Sequence, residues 1–248
     1  MRKRNVKPIY ILPNIFTSLS LFSGFWAIAE ALDRKFVQAS IAIFVACLFD
    51  VLDGRVARIT NTTSRFGVEY DSLSDLIAFG VAPSLLAYLW ALSMYGRFGW
   101  LAAFLYVACG ALRLARFNVQ VETVQKRYFL GLPIPAAASM ISSTVLLCSF
   151  FGYEEELRSG FVPLLLYLLA FLMVSNIRYH GFKDLSFLKA RPFKTGIFAI
   201  FALFVIFIEP KVTIFLISSA YVISGPFFAL FRQKKKALED FAWERREI

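Results

Sequence analysis

Four aspartates, Asp50, Asp53, Asp71 and Asp75, stand in a stretch of chain that is otherwise mostly apolar. The first two are three residues apart and the last two are four apart, so on helices each pair shares a face. Two antiparallel helices joined by the short segment between them would bring all four carboxylates together. Carboxylates that close repel, and the group is stable only with protons or cations among them. An all-oxygen donor set selects hard divalent ions such as Mg²⁺ or Mn²⁺ over zinc. Four carboxylates suffice to bridge two such ions about 3.5–4 Å apart, an arrangement suited to phosphoryl chemistry.

The neighbours of the quartet suit an anionic substrate. Gly54 follows Asp53 and leaves the backbone open to a ligand. Ala57 is small and one turn on, and Gly67 precedes the second pair. Arg58 carries a guanidinium, whose planar fork matches phosphate oxygens. A single aspartate near a helix end would read as a cap or a solvated charge. Four of them with two glycines and an arginine at this spacing read as a site.

The elements that must hold these residues are membrane helices. Of 248 residues, 58% are hydrophobic and 18% charged, against about 45–50% and about 25% in soluble domains. Mean hydropathy is +0.64. A spanning helix needs about 20 mostly apolar residues, and apolar windows predict eight: 10–32, 36–58, 70–95, 98–117, 131–152, 160–178, 193–209 and 211–231. The basic start Arg2-Lys3-Arg4 precedes an apolar stretch longer than the roughly 7–15 residues of a secretory leader's apolar region, so it reads as a retained first span. Eight spans place both termini on one side with 22 of the 27 lysines and arginines. The positive-inside rule makes that side cytoplasmic, and the aspartates lie on it. The net charge of +10 therefore reads as a cytoplasmic face attracted to anionic lipid, not as a nucleic-acid surface. Cys47, Cys109 and Cys148 lack metal-ligand spacing and read as small packing residues.

Written out, the segment is Asp50-Val-Leu-Asp53-Gly54-Arg-Val-Ala57-Arg58, eight residues, then Gly67-Val-Glu-Tyr-Asp71-Ser-Leu-Ser-Asp75. It resembles the signature of the CDP-alcohol phosphatidyltransferases, D-x2-D-G-x2-A-R-x8-G-x3-D-x3-D, at every fixed position. That resemblance implies transfer of a substituted phosphate from a CDP-linked donor to an alcohol, with release of CMP. It implies that Asp50, Asp53 and Asp71 are metal ligands, with Asp75 the general base while also at the metal site. It implies that Gly54, Ala57, Arg58 and Gly67 serve the CDP-diacylglycerol donor, and that the protein is a homodimer. The expected fold is all-α: a basic surface arm (1–9), a six-helix catalytic core (10–178), two additional transmembrane helices (179–231) and a charged cytoplasmic tail (232–248).

Further segments resemble the branch of that family whose acceptor is L-serine. They are Pro13-Asn14-Ile-Phe-Thr17, Phe79-Gly80-Val-Ala-Pro83, Arg113-Leu-Ala-Arg116-Phe-Asn118 and Tyr128-Phe-Leu-Gly131-Leu-Pro133-Ile-Pro135. Asn14 and Thr17 read either as nucleotide contacts or as a helix cap. Arg113, Arg116 and Asn118 read either as charges flanking a span or as a grip on the serine carboxylate or donor phosphate. The signature handles the donor, so glycerol 3-phosphate, inositol phosphate and choline stay open as acceptors. His180 reads as a surface-loop residue. A cation transporter would need a polar path to both faces, and all four aspartates lie at one.

Overall fold

The computed structural model describes residues 11–60, 64–121, 128–152, 161–180 and 209–244. The arm 1–9, the predicted span 193–209 except its last residue, and residues 122–127 and 181–194 of the loops expected at 113–127 and 178–194 lie outside them. Eight helices are described: α1 (Ile11–Leu32), α2 (Phe36–Ile59), α3 (Arg65–Asp75), α4 (Ala82–Ala87), α5 (Gly96–Val121), α6 (Ile134–Phe151), α7 (Phe161–Val174) and α8 (Pro210–Glu244). Five helical stretches are long and apolar enough to cross a membrane, Leu12–Leu32, Phe36–Ile59, Arg65–Val119, Ile134–Phe151 and Pro210–Ala229, and α7 is a shorter apolar helix. The chain is thus a multi-pass membrane protein whose described residues are all-α apart from one short strand pair.

The stretch Arg65–Val119 is a hairpin rather than one rod. A π-helical turn (Leu76–Val81) links α3 to α4, and a second (Tyr88–Leu92) and a 3₁₀ turn (Ser93–Tyr95) lead to Gly96. Gly96 takes φ +52°, which reverses the chain at low steric cost. Three hydrogen-bonded pairs then join the arms in antiparallel register. Ser84 Oγ donates to Ala103 O (2.8 Å), Tyr106 Oη to Phe79 O (3.1 Å), and Ser72 pairs with Asn118.

Strand β1 (Tyr128–Leu130) pairs antiparallel with β2 (Arg178–His180), Phe129 opposite Tyr179. The backbone N–H groups of Gly131 and Leu132 donate to Ile177 O and Leu172 O. The entry to α6 is thereby tied to the exit of α7. Residues 134–151 and 161–174 separate the two strands in sequence, and three residues are too few for an alternating pattern to announce either.

Helices α1 and α2 pack closely because their contact is built from small residues. Ala27 and Ala31 on α1 and Ala39, Ala42 and Ala46 on α2 are all buried, the pattern that lets membrane helices approach. On another side of α1, Gly24 meets the π-turn after Asp75. A Cβ at Gly24 would lie 2.6 Å from Ala78 Cα, so backbone would have to move. We expect Gly24→Ala to destabilise the protein by about 1–3 kcal/mol through overpacking. Thermal unfolding in detergent measures this, and an unchanged midpoint would contradict the packing described.

Candidate active site

Asp50 and Asp53 sit in the last turns of α2, and Asp71 and Asp75 at the end of α3. Helix α3 begins at Arg65, earlier than apolar windows suggest. Ser64 caps it, its Oγ accepting from the Gly67 N–H at 2.9 Å. The polar first turn that follows the cap carries no apolar signal, which is why hydropathy misses it.

The two helices bring the aspartates together. Asp50, Asp53 and Asp71 each place a carboxylate oxygen within 4.8 Å of the others. Asp75 joins through a side-chain contact with Asp50. Asp53 is buried and the other three are partly exposed, so the group is seated in protein yet open on one side. Carboxylate oxygens alone, this close together, are the donor set a hard divalent cation takes. The residues present fit such an ion, and Asp50, Asp53 and Asp71 are the ones placed to hold it.

Helix α1 braces the group. Thr17 Oγ1 lies 2.9 Å from Asp53 Oδ2 as its donor, and 3.2 Å from Pro13 O. Ser74 Oγ, between Asp71 and Asp75 in the chain, donates to Thr17 O at 3.1 Å. Ser20 Oγ donates to Ala46 O on α2 at 3.1 Å. Thr17 and Ser74 are both buried. One residue of α1 therefore touches a carboxylate of α2 and the backbone-side support of α3. Ser18 Oγ and Tyr70 Oη, 2.9 Å apart, add a further α1–α3 contact. Sequence reasoning singled out Thr17 as a nucleotide or capping residue, and it missed Ser18, Ser20, Tyr70 and Ser74. Single hydroxyls on apolar helices carry no spacing signal.

The remaining signature residues lie beside the quartet. Arg58 folds back over the helix, its Nε donating to Gly54 O at 2.7 Å. A Cβ at Gly54 would meet the Arg58 guanidinium at 3.9 Å, so this face is open but for that side chain. Ala57 is half-buried one residue before it. Asn14 stands across from Gly67, with its Oδ1 3.5 Å from where a Cβ there would lie. The Asn14 end of α1 and the start of α3 thus border one another.

The three residues of α5 expected on the acceptor side, Arg113, Arg116 and Asn118, part company. Arg113 is buried at 9% exposure, and its Nε has no hydrogen-bond partner. Asp75, Tyr221 and Asp50 are the groups whose charges bear on it. Arg116 turns instead to the end of α7, its Nη2 2.6 Å from Asn176 Oδ1 and its Nη1 3.3 Å from Val174 O. Asn118 exchanges hydrogen bonds with Ser72, next to Asp71, at 3.0 and 3.2 Å. Of the expected acceptor residues, Arg113 is the one with a buried polar atom, its Nε, left without a hydrogen-bond partner.

The Thr17–Asp53 bond should matter to cation binding, because hydrogen bonds to a ligating carboxylate orient it. Thr17→Val keeps the shape and removes the donor. It is expected to weaken Mn²⁺ binding about 10-fold or more, read by the paramagnetic resonance of free Mn²⁺ over purified protein. Wild-type affinity in that variant would show that the bond does not orient Asp53.

Comparison with known proteins agrees with this geometry. The family described as CDP-alcohol phosphatidyltransferase matches residues 10–175, a segment that runs from the start of α1 to the end of α7. A Helicobacter pylori (strain ATCC 700392 / 26695) protein named CDP-diacylglycerol–serine O-phosphatidyltransferase is 41% identical over 93% of this chain and 95% of its own. A Mycobacterium leprae protein of the same name is 34% identical over 98% of this chain and 82% of its own. An archaetidylserine synthase of Methanothermobacter thermautotrophicus is 39% identical over 72% and 73%. The family match takes in the whole carboxylate cluster and the helices that brace it, and the chain belongs to the CDP-alcohol phosphatidyltransferase family of transferases.

Proposed function

We propose that this protein is a phosphatidylserine synthase. It transfers the phosphatidyl group of CDP-diacylglycerol to the hydroxyl of L-serine and releases CMP. The donor side of this reading rests on the signature and the family. The acceptor side rests on Arg113, a buried guanidinium with an unpartnered Nε close to the quartet. A buried polar group without a partner is costly, and a bound carboxylate would satisfy it in the forked geometry arginine prefers. The relatives named for serine transfer support the same choice.

In this reading Asp50, Asp53, Asp71 and Asp75 hold two divalent cations, Mg²⁺ or Mn²⁺. Bound there, the cations supply charge neutralisation for the donor diphosphate and for the departing CMP. The chain's own residues do the rest. Gly54 and Ala57 leave room for the nucleotide, with Asn14, Thr17 and Gly67 along the same edge, and Arg58 meets phosphate oxygens. Arg113 fixes the serine carboxylate. Asp75 takes the proton of the serine hydroxyl as its oxygen attacks the phosphorus that bears diacylglycerol. The bond from that phosphorus to CMP breaks in line, so one P–O bond forms as another is lost. Catalysis then comes mainly from positioning and charge. The acyl chains stay in the bilayer. The distribution of basic residues supports a site that opens to the cytoplasmic side of the cell membrane. A homodimer is part of the same reading and rests on family membership alone.

Three measurements test this. Purified protein in detergent, given CDP-diacylglycerol and Mn²⁺ or Mg²⁺, is offered serine, glycerol 3-phosphate, inositol phosphate or choline separately while CMP is followed. Release with serine is expected; release only with another acceptor would overturn the assignment. Asp75→Asn should lower kcat about 10²–10⁴-fold, the usual worth of a general base, and near wild-type turnover would remove Asp75 from that role. Arg113→Lys keeps the charge and loses the fork. It should raise the KM for serine about 10-fold and leave that for CDP-diacylglycerol in place. A rise confined to the donor would reassign Arg113 to phosphate.

A further inference from the structure

Asp75 stands immediately before a widened helical turn. The Ala82 N–H reaches back five residues, to Ile77 O, where an α-helix would reach back four. Such π-turns are rare and are found frequently at functional sites. The segment Phe79-Gly80-Val-Ala-Pro83 builds this one. In an α-helix the Phe79 carbonyl would accept from the N–H of residue 83, and Pro83 has none. Tyr106 of α5 supplies a donor instead, its hydroxyl 3.1 Å from Phe79 O. Tyr106 is fully buried, which keeps water from competing for that carbonyl.

Two more helices grip the same turn. Helix α1 presents Gly24, where a Cβ would lie 2.6 Å from Ala78 Cα and 2.7 Å from Ala78 Cβ. Helix α6 presents Ile134, which is fully buried. Its Cδ1 lies 3.7 Å from where a Cβ at Gly80 would stand, and 2.7 Å from one at Gly110 of α5. Ile134 is thus wedged between the turn and α5 at two glycines. Three consecutive residues, Ala78, Phe79 and Gly80, each meet a different helix. On the other side of Asp75, Ser74 Oγ donates to Thr17 O at 3.1 Å. The main chain is therefore held both before and after Asp75.

We infer that Tyr106 is a positioning residue for the reaction: its bond to Phe79 O holds the π-turn that aims the Asp75 carboxylate at the acceptor hydroxyl. The inference rests on the proposed reading of Asp75 as the general base. A general base must stand within about 2.6–3.2 Å of the group whose proton it takes. One residue of helical register rotates a side chain by about 100°, so closure of the π-turn to α geometry would turn Asp75 relative to the helix that follows it. Asp53 is oriented by a hydroxyl on its carboxylate; Asp75 is oriented through its main chain. Loss of the Tyr106 bond therefore acts on turnover, and leaves Gly54 and Arg58 on α2 and Arg113 on α5 in place for the substrates.

Steady-state kinetics on the full-length protein in detergent tests this, with thermal unfolding to show that each variant is folded at the assay temperature. Tyr106→Phe removes the donor and keeps the ring. It is expected to lower kcat about 10-fold, within the roughly 100-fold that a small misplacement of a reacting group costs, and to leave the KM for serine and for CDP-diacylglycerol as in wild type. In the Asp75→Asn background the same substitution should change the residual turnover less than about 2-fold, because the group it positions is gone. An equal loss in both backgrounds would mark Tyr106 as a structural residue only and overturn the inference. Pro83→Ala returns an N–H that competes with Tyr106 for Phe79 O. It should lower kcat in the same way, and it carries the test if Tyr106→Phe does not fold. Asp75→Asn alone separates the two levels. If it abolishes most turnover while Tyr106→Phe and Pro83→Ala keep wild-type kcat, or act through KM instead, the role of Tyr106 falls alone. If Asp75→Asn itself keeps wild-type turnover, the general-base reading falls and takes this inference with it.

Discussion

Mutual repulsion of carboxylates at the ends of apolar helices is the constraint the rest of this protein answers to. Charge in a membrane segment is expensive, and three carboxylate oxygens within 4.8 Å of one another compound the cost. The arrangement is stable only if protons or cations offset the charge and if the helices carrying the charges are kept from parting. The second requirement explains the neighbourhood of α1. Its Thr17 hydroxyl reaches Asp53 on α2, and its Thr17 carbonyl receives Ser74 of α3. A single residue so ties both halves of the quartet to one helix.

Close packing serves the same end. The alanines shared by α1 and α2 and the Gly24–Ala78 approach draw three helical segments near enough for hydroxyl groups to span the gaps. Where water cannot satisfy the backbone, short polar side chains and close contact are the means available. On the far side of the quartet α5 repeats the scheme, with Asn118 bonded to Ser72. Arg113 is the exception. It is buried but left with an unpartnered Nε, which is what sets the proposed binding group apart from a brace.

How much of this was legible in the sequence depends on the range of the interaction. The aspartate pairs were, because i,i+3 and i,i+4 spacing decides a shared face before any tertiary contact exists. The hairpin at Gly96 and the helices flanking it were legible from apolar runs broken by glycine and charge. The start of α3 was not, since a polar capped turn looks like a loop to a hydropathy window. The roles of Thr17, Arg113 and Arg116 were hidden for another reason. Thr17 meets a partner 36 residues away. The two arginines, three apart on one helix, diverge to the quartet and to the end of α7, and only their surroundings say which does what. The β1–β2 pair likewise arises between residues about fifty positions apart.

The claim on which the account stands is that Asp50, Asp53 and Asp71 form a divalent-cation site. The most direct measurement is anomalous diffraction from crystals of the protein grown with Mn²⁺. A manganese peak bounded by these three carboxylates, lost in Asp71→Asn, is the expected result. No peak at that position in well-ordered crystals, or a peak that survives the substitution unchanged, would contradict it.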